Sequence, residues 1–174
     1  QVFDHLVEAI DLVPTFVDWF GGEPRPHILE GRSLLSLVRG GDPDWRAVAI
    51  SEYDYSMRRA RQLLDQPVDN CRLTMVFDGR WKYIHAEGFR PLLYDLETDP
   101  QEFHDLGASP EHDSERRRLS ELHHRWTRGH HNRVTVSNTR ISGRKGGELA
   151  KGIIVGFWDE AELMEARLQG ESGN

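Results

Sequence analysis

Between residues 71 and 96 the side chains alternate with a period of two, and no other feature restricts the chain so strongly. Leu73, Met75 and Phe77 recur at every second position, and after Asp78-Gly79 so do Trp81, Tyr83 and His85. Such alternation marks strands with one face in a core, and the Asp-Gly pair between the runs reads as a hairpin turn. A two-residue Asp-Gly turn would pair Phe77 with Arg80 and set Lys82 opposite Met75, which scrambles the faces. A three-residue loop, Asp78-Gly79-Arg80, pairs Phe77 with Trp81 and Met75 with Tyr83 and unites the aromatic face. That loop, with Gly79 at positive φ, is the expectation. A third strand over residues 92–96 carries Leu92, Tyr94 and Leu96 on one side. Upstream, residues 47–55 read as a further strand, with Val48, Ile50 and Tyr53 as packing positions.

Helical spacing appears at both ends of this β region. Leu6, Val7, Ile10, Val13, Val17 and Phe20 fit it, but Pro14 lacks an N–H and is tolerated only in a first turn. The segment therefore divides into a short strand over residues 6–10 and a helix that Asp11 caps and that runs to about Phe20, where Gly21-Gly22 ends it. The polar, Arg-rich stretch 58–70 reads as a surface loop or one short helix. From Ser109, an N-cap followed by Pro110, a helix presents Leu119, Leu122 and Trp126 as a stripe. Gly129-His130-His131-Asn132 interrupts it. Beyond lie an expected strand over 133–141, a Gly/Lys/Arg loop over 143–147, a strand over 152–158 and a helix from Asp159, which forms a capping-box-like pair with Glu162. The fold class is α+β: a small antiparallel sheet packed by a helix, plus a C-terminal β-hairpin arm and short helix. The boundaries fall at 1–128 and 129–174.

Charge and cysteine content exclude several roles. Lys and Arg number 22 against 29 Asp and Glu, a net charge of −7, which disfavours a nucleic-acid partner. No apolar run approaches the roughly 18 residues of a membrane span. The single cysteine, Cys71, rules out an internal disulfide and points to a reducing, cytoplasmic compartment. Gln1 begins no signal-peptide pattern, so the chain reads as a piece of a longer protein.

Candidate chemistry is sparse. Asp4-His5 with Glu8 offers at most half of a metal site and reads as a solvated strand start. His123 and His124 point about 100° apart on a helix and cannot chelate one ion together. His130 could approach His123, although imidazoles near a helix C-terminus commonly serve its dipole. Cys71 has no evident base and reads as buried and structural. Arg116-Arg117-Arg118 reads as a solvated face. No phosphate loop, nucleophile elbow or zinc spacing is present. No catalytic, cofactor-binding or metal-ligating residue is assigned.

Three stretches carry a family resemblance. Asp11-Leu12-Val13-Pro14-Thr15, with Gly21-Gly22 and then Gly31-Arg32-Ser33-Leu34, resembles a "D-x-x-P-T … G … D-G-x-S-L" passage, with Glu30 in place of the usual Asp. The second stretch is Gly79-Arg80-Trp81-Lys82-Tyr83-Ile84. The third, Leu93-Tyr94-Asp95-Leu96-Glu97-Thr98-Asp99-Pro100-Gln101-Glu102, resembles "L-Y-D-L-x-x-D-P-x-E", with Asp105-Leu106 where Asn-Leu is usual. In order and spacing they are similar to the C-terminal region of the sulfatase branch of the alkaline phosphatase superfamily. The tail, Arg133 to Ser137 and Gly152 to Ala161, is similar to the arm of phosphonate monoester hydrolases and related arylsulfatases.

The resemblance implies a C-terminal subdomain of an alkaline-phosphatase-like α/β enzyme that hydrolyses sulfate or phosphonate/phosphate esters. It implies a divalent metal (Mn, Ca or Zn) and a formylglycine in the parent, neither held by this segment. Its partners would be the upstream catalytic domain, a small-molecule ester, and further copies in a homotetramer through residues 133–174. The segment would supply scaffold, cleft wall and subunit contacts and be inert alone. The alternative is a non-catalytic oligomerisation or interaction module of the same descent. Neither the nucleophile motif, Cys/Ser-x-Pro-Ser-Arg, nor the Asp-His-Gly metal motif occurs; Asp4-His5 is followed by Leu6.

Overall fold

The computed structural model describes residues 2–41, 44–129, 136–142, 161–162 and 164–165. Its contacts divide the chain into two compact units, residues 1–134 and 135–174. In the second unit, Ser137 accepts the Arg140 N–H at 3.3 Å on its hydroxyl and the Ile141 N–H at 3.1 Å on its carbonyl. These bonds open a short helix, Asn138–Ser142, where a strand over 133–141 was expected. A serine that captures the next turn's amides turns the chain instead of extending it. The helix expected from Asp159 agrees with helical residues 161–162 and 164–165. Residues 130–135, the loop 143–147, the strand 152–158 and Asp159 itself lie outside the described residues.

The first unit is built on four antiparallel strands, β1 (Ala49–Asp54), β2 (Arg72–Phe77), β3 (Trp81–Ala86) and β4 (Leu92–Asp95), in the order β1-β2-β3-β4. One row of side chains crosses the sheet: Ile50 pairs with Val76, Val76 with Tyr83 and Tyr83 with Leu93. Directly opposed residues of an antiparallel pair share a face. That face meets Leu119, and Val76, Tyr83, Leu93 and Leu119 form the buried core, with Val48, Ile50, Trp81, Leu106 and Leu122 around it. Leu119 and Leu122 belong to the long helix (Asp113–Gly129) that continues a 3₁₀ turn over Pro110–His112, begun at Ser109 as expected.

The β2–β3 register differs from the expected one. Phe77 faces Lys82 and Val76 faces Tyr83, so Tyr83 shares its face with Val76 and not with Met75. Asp78 is the cause. Its Oδ1 accepts the N–H groups of Arg80 at 3.0 Å and Trp81 at 2.7 Å, and its own N–H reaches the Trp81 carbonyl at 3.3 Å. Asp78 and Trp81 thus close the ladder, and only Gly79 and Arg80 turn. Gly79 has φ +97, the positive value expected, which glycine adopts without a Cβ penalty. In β4 the core takes Leu93 and Asp95, whereas Leu92, Tyr94 and Leu96, the row singled out from sequence, are only partly covered.

Three shorter helices complete the unit. α1 (Leu12–Trp19) follows a 3₁₀ turn over Ala9–Asp11, and the expected strand over 6–10 is absent. Asp11 Oδ2 accepts the Glu8 N–H at 2.8 Å, and Glu8 Oε1 accepts the Ile50 N–H at 2.6 Å, so this segment meets β1 through a side chain. Pro14 sits in the first turn. The helix ends in a Schellman motif: the Gly22 N–H reaches the Val17 carbonyl at 2.8 Å, the Gly21 N–H the Asp18 carbonyl at 3.0 Å, and Gly21 has φ +76. α2 (Leu35–Val38) and α3 (Arg59–Leu63) are single turns, and the long helix Asp113–Gly129 is therefore α4, with Asn138–Ser142 as α5.

Candidate functional site

Three polar constellations in the first unit bring titratable groups together. The most buried centres on Asp11, which has no solvent exposure. Arg46 Nη1 donates to its Oδ2 at 2.6 Å and Nη2 to its Oδ1 at 2.5 Å, while the Arg32 N–H donates to Oδ1 at 2.8 Å. Arg46 also lies 3.3 Å from Glu8 and 5.3 Å from the centroid of the Trp45 ring, whose Nε1–H donates to the Leu6 carbonyl at 2.8 Å. Burial alone would raise the Asp11 pKa. The Arg46 hydrogen bonds, then the Arg32 and Glu8 N–H groups, outweigh it and hold the carboxyl below its ordinary value. Both oxygens of this carboxylate accept two hydrogen bonds each from donors of the chain, so Asp11 is a tie between α1, the Gly31–Arg32 segment and Arg46. It does not cap α1 with its side chain, contrary to the expectation.

The second constellation surrounds Asp95 on β4. The Arg80 guanidinium donates to both its oxygens, at 2.9 and 2.7 Å, and lowers its pKa to about 2. Nearby, Arg118 of the expected solvated arginine face reaches Asp78, while Arg116 and Arg117 pair with Asp113.

The third is aromatic. His123 of α4 stacks on His85 of β3 at 4.6 Å between centroids, with Tyr83 and Trp126 each 6.5 Å away. Burial, then the neighbouring His85 and His124, lowers the His123 pKa. Burial and the imidazole neighbours thus disfavour charge on His123, while His85 Nε2 lies 3.4 Å from Glu87 Oε2 in an exposed contact. His124 is exposed on another side of α4, and His130 and His131 lie outside the described residues. Cys71 is buried, and its thiol donates to the Pro67 carbonyl at 3.2 Å, a structural place as expected.

Motif residues also turn out to be structural. Asp105, at the position where the resemblance has Asn, accepts the N–H groups of Leu93 at 3.1 Å and Gly107 at 2.8 Å through Oδ1, a role an amide oxygen would equally fill. Asp99 Oδ2 accepts the His104 N–H at 2.8 Å, and Glu102, with φ +59, receives Lys82 at 2.7 Å. Among the described residues, no three His, Cys, Asp or Glu side chains are grouped so as to hold a metal ion. Clefts of about 710, 470 and 460 Å³ open on the unit. The last is walled mainly by apolar and aromatic side chains, among them Tyr53, Tyr55, Leu64, Leu73, Phe89 and Leu92. No described helix is long and apolar enough to cross a membrane. The Asp11–Arg46 tie escaped the sequence reading, because residues 35 positions apart leave no local periodic signal.

Comparison with known proteins gives these observations a context. The chain is 36% identical over 118 residues to the multifunctional alkaline phosphatase superfamily protein PehA of Trinickia caryophylli, a match covering 63% of this chain and 22% of PehA. It is 28% identical over 145 residues to an ulvan-active sulfatase of Formosa agariphila, covering 67% of this chain and 28% of that protein. Its structure is similar to the phosphonate monoester hydrolase of Agrobacterium radiobacter, with a TM-score of 0.64 and 30% identity over 71% of this chain and 25% of that one. It thus spans about a quarter of the length of these relatives. A family description, N-sulphoglucosamine sulphohydrolase, C-terminal, matches residues 1–128, three-quarters of the chain, and with structural ties at each of its motifs the chain belongs to that family.

Proposed function

We propose that this chain is the C-terminal part of a hydrolase of sulfate or phosphonate/phosphate esters, in which it supplies scaffold and cleft wall. The observation that carries this reading is the use of its motif carboxylates. Asp11, Asp95, Asp99 and Asp105 all accept hydrogen bonds from the chain's own backbone or arginines, so the chemistry belongs to the rest of the parent. A match to about a quarter of the length of an ulvan-active sulfatase and of a phosphonate monoester hydrolase supports the same division. Ester hydrolysis by the parent would use a divalent metal (Mn, Ca or Zn) and a formylglycine, both outside this segment. Residues 133–174 would hold subunits together, as a homotetramer. A cytoplasmic location draws its support from the lone, buried cysteine.

Expression of the parent gene beside this 174-residue chain tests the reading. With an aryl sulfate and an aryl phosphonate monoester as substrates, the parent should turn over at least one and this chain neither. Turnover by this chain alone, or none by the parent, would refute it. Deleting residues 133–174 from the parent should lower the mass seen by light scattering; an unchanged mass removes the role given to the arm.

A further inference from the structure

The geometry points to a binding site for a medium-chain aliphatic monoanion, a carboxylate or a sulfate monoester, in the cleft on the sheet face turned away from α4. This site is independent of the ester chemistry proposed above. Its floor follows from strand register. Tyr53 pairs with Leu73 and Leu73 with Ala86 across β1, β2 and β3, and Leu92 of β4 lies on the same face. Each stands an odd number of positions from the member of the Ile50–Val76–Tyr83–Leu93 row on its own strand, so all four project opposite to the core. Four strands have three spacings of about 4.8 Å, which makes the floor roughly 14 Å across. Ala86 brings a single methyl group to a row of larger side chains and leaves a hollow of about 460 Å³. Ala60 of α3 and Phe89, in the turn before β4, complete the lining.

Charge at the rim selects the head group. Arg58 Nε donates to the Tyr53 hydroxyl at 3.0 Å, which brings the guanidinium to the β1 end of the cleft. That hydroxyl is neutral, and among the described residues no carboxylate forms an ion pair with Arg58. Arg90, which lines the β4 end, is already matched by Asp105 at 2.6 Å. One uncompensated cation therefore stands beside an apolar trough, and a single negative charge on an aliphatic chain complements both. The head group sits on Arg58 and the chain lies over Leu73 and Ala86 towards Leu92. The volume falls in the range of clefts that hold small organic ligands, which are likewise mostly apolar with a few placed polar groups.

Amide NMR of the isotope-labelled chain tests this, with octanoate, octyl sulfate and octan-1-ol as probes. At least one of the anions should shift the Leu73, Ala86 and Phe89 amides saturably and bind at least about tenfold more tightly than the alcohol. Which of the two does so names the head group. Arg58→Gln should weaken that anion about tenfold, to the level of the alcohol, and leave alcohol binding unchanged. Ala86→Leu, which fills the hollow, should abolish binding of all three. An otherwise unchanged amide spectrum shows that a variant is folded, and if Ala86→Leu is not, Arg58→Gln decides. Equal affinity for alcohol and anions overturns the inference. So do shifts confined to the exposed residues of α1, or undiminished binding by folded Ala86→Leu. In the parent, equilibrium dialysis against the radiolabelled anion should find one equivalent per polypeptide that Ala86→Leu removes; an uptake of none overturns the inference as well.

Discussion

Replacing Arg46 with Met keeps an unbranched side chain at this position and removes the guanidinium from Asp11 and from the face of Trp45. The carboxylate then stays fully buried with the N–H groups of Arg32 and Glu8 as its remaining partners. Breaking a buried pair from one side costs about 3–5 kcal/mol. The two surviving N–H bonds place this case near the lower end, at about 3 kcal/mol. At about 2–4 °C per kcal/mol for a chain of this size, the melting temperature should fall by about 6–12 °C. Urea unfolding followed by circular dichroism measures the free energy directly. The double variant Asp11→Asn with Arg46→Met should cost less than the sum of the singles, by on the order of 1–2 kcal/mol, because the two groups act through one another. A loss under about 1 kcal/mol for Arg46→Met, or additive singles, would refute the account of Asp11 as a charge held by its partners.

Other outcomes follow from the same geometry. Asp95 has its pKa depressed to about 2, so the unfolded chain binds its proton first and the stability it contributes is lost as the pH falls from about 4 towards about 2; Arg80→Gln should flatten the urea midpoint over that window. His123 is depressed below the ordinary 6.5, so the unfolded state again takes up the proton first; wild-type stability should drop as the pH falls below that value, and His123→Leu should remove the drop. Gly31→Ala would place a Cβ 2.1 Å from the Ile10 carbonyl oxygen, both on backbone that cannot swing aside, and should cost about 3 kcal/mol in the same unfolding assay.

Local signals carried much of this structure, and the exceptions share a cause. The four strands, the positive φ of Gly79 and the Leu119/Leu122 stripe all declare themselves within a few residues. Register did not. Asp78-Gly79-Arg80 accommodates more than one turn, and the choice fell to an aspartate side chain bonding two amides ahead. In β4, Leu92, Leu93 and Tyr94 are all apolar, so alternation could not say which side the core takes. Residues 6–10 have strand-like composition, yet the Glu8 side chain accepts the Ile50 N–H of β1 and the Asp11 side chain accepts Arg46, long-range bonds that no local pattern announces. As for the site, the Asp-x-x-Pro-Thr and Leu-Tyr-Asp-Leu passages were legible as scaffold from their residue types. The Arg46 that completes the first of them lies beyond any helical or strand period.

The order β1-β2-β3-β4 has a kinetic corollary. Every strand pairs with its neighbour along the chain, and only two turning residues separate β2 from β3, so zippering can begin with a short closure on the microsecond scale of hairpin formation. Low contact order of this sort favours rapid acquisition of the sheet. In a protein assembled from several such parts, this one would reach its shape early and wait for its neighbour rather than be templated by it.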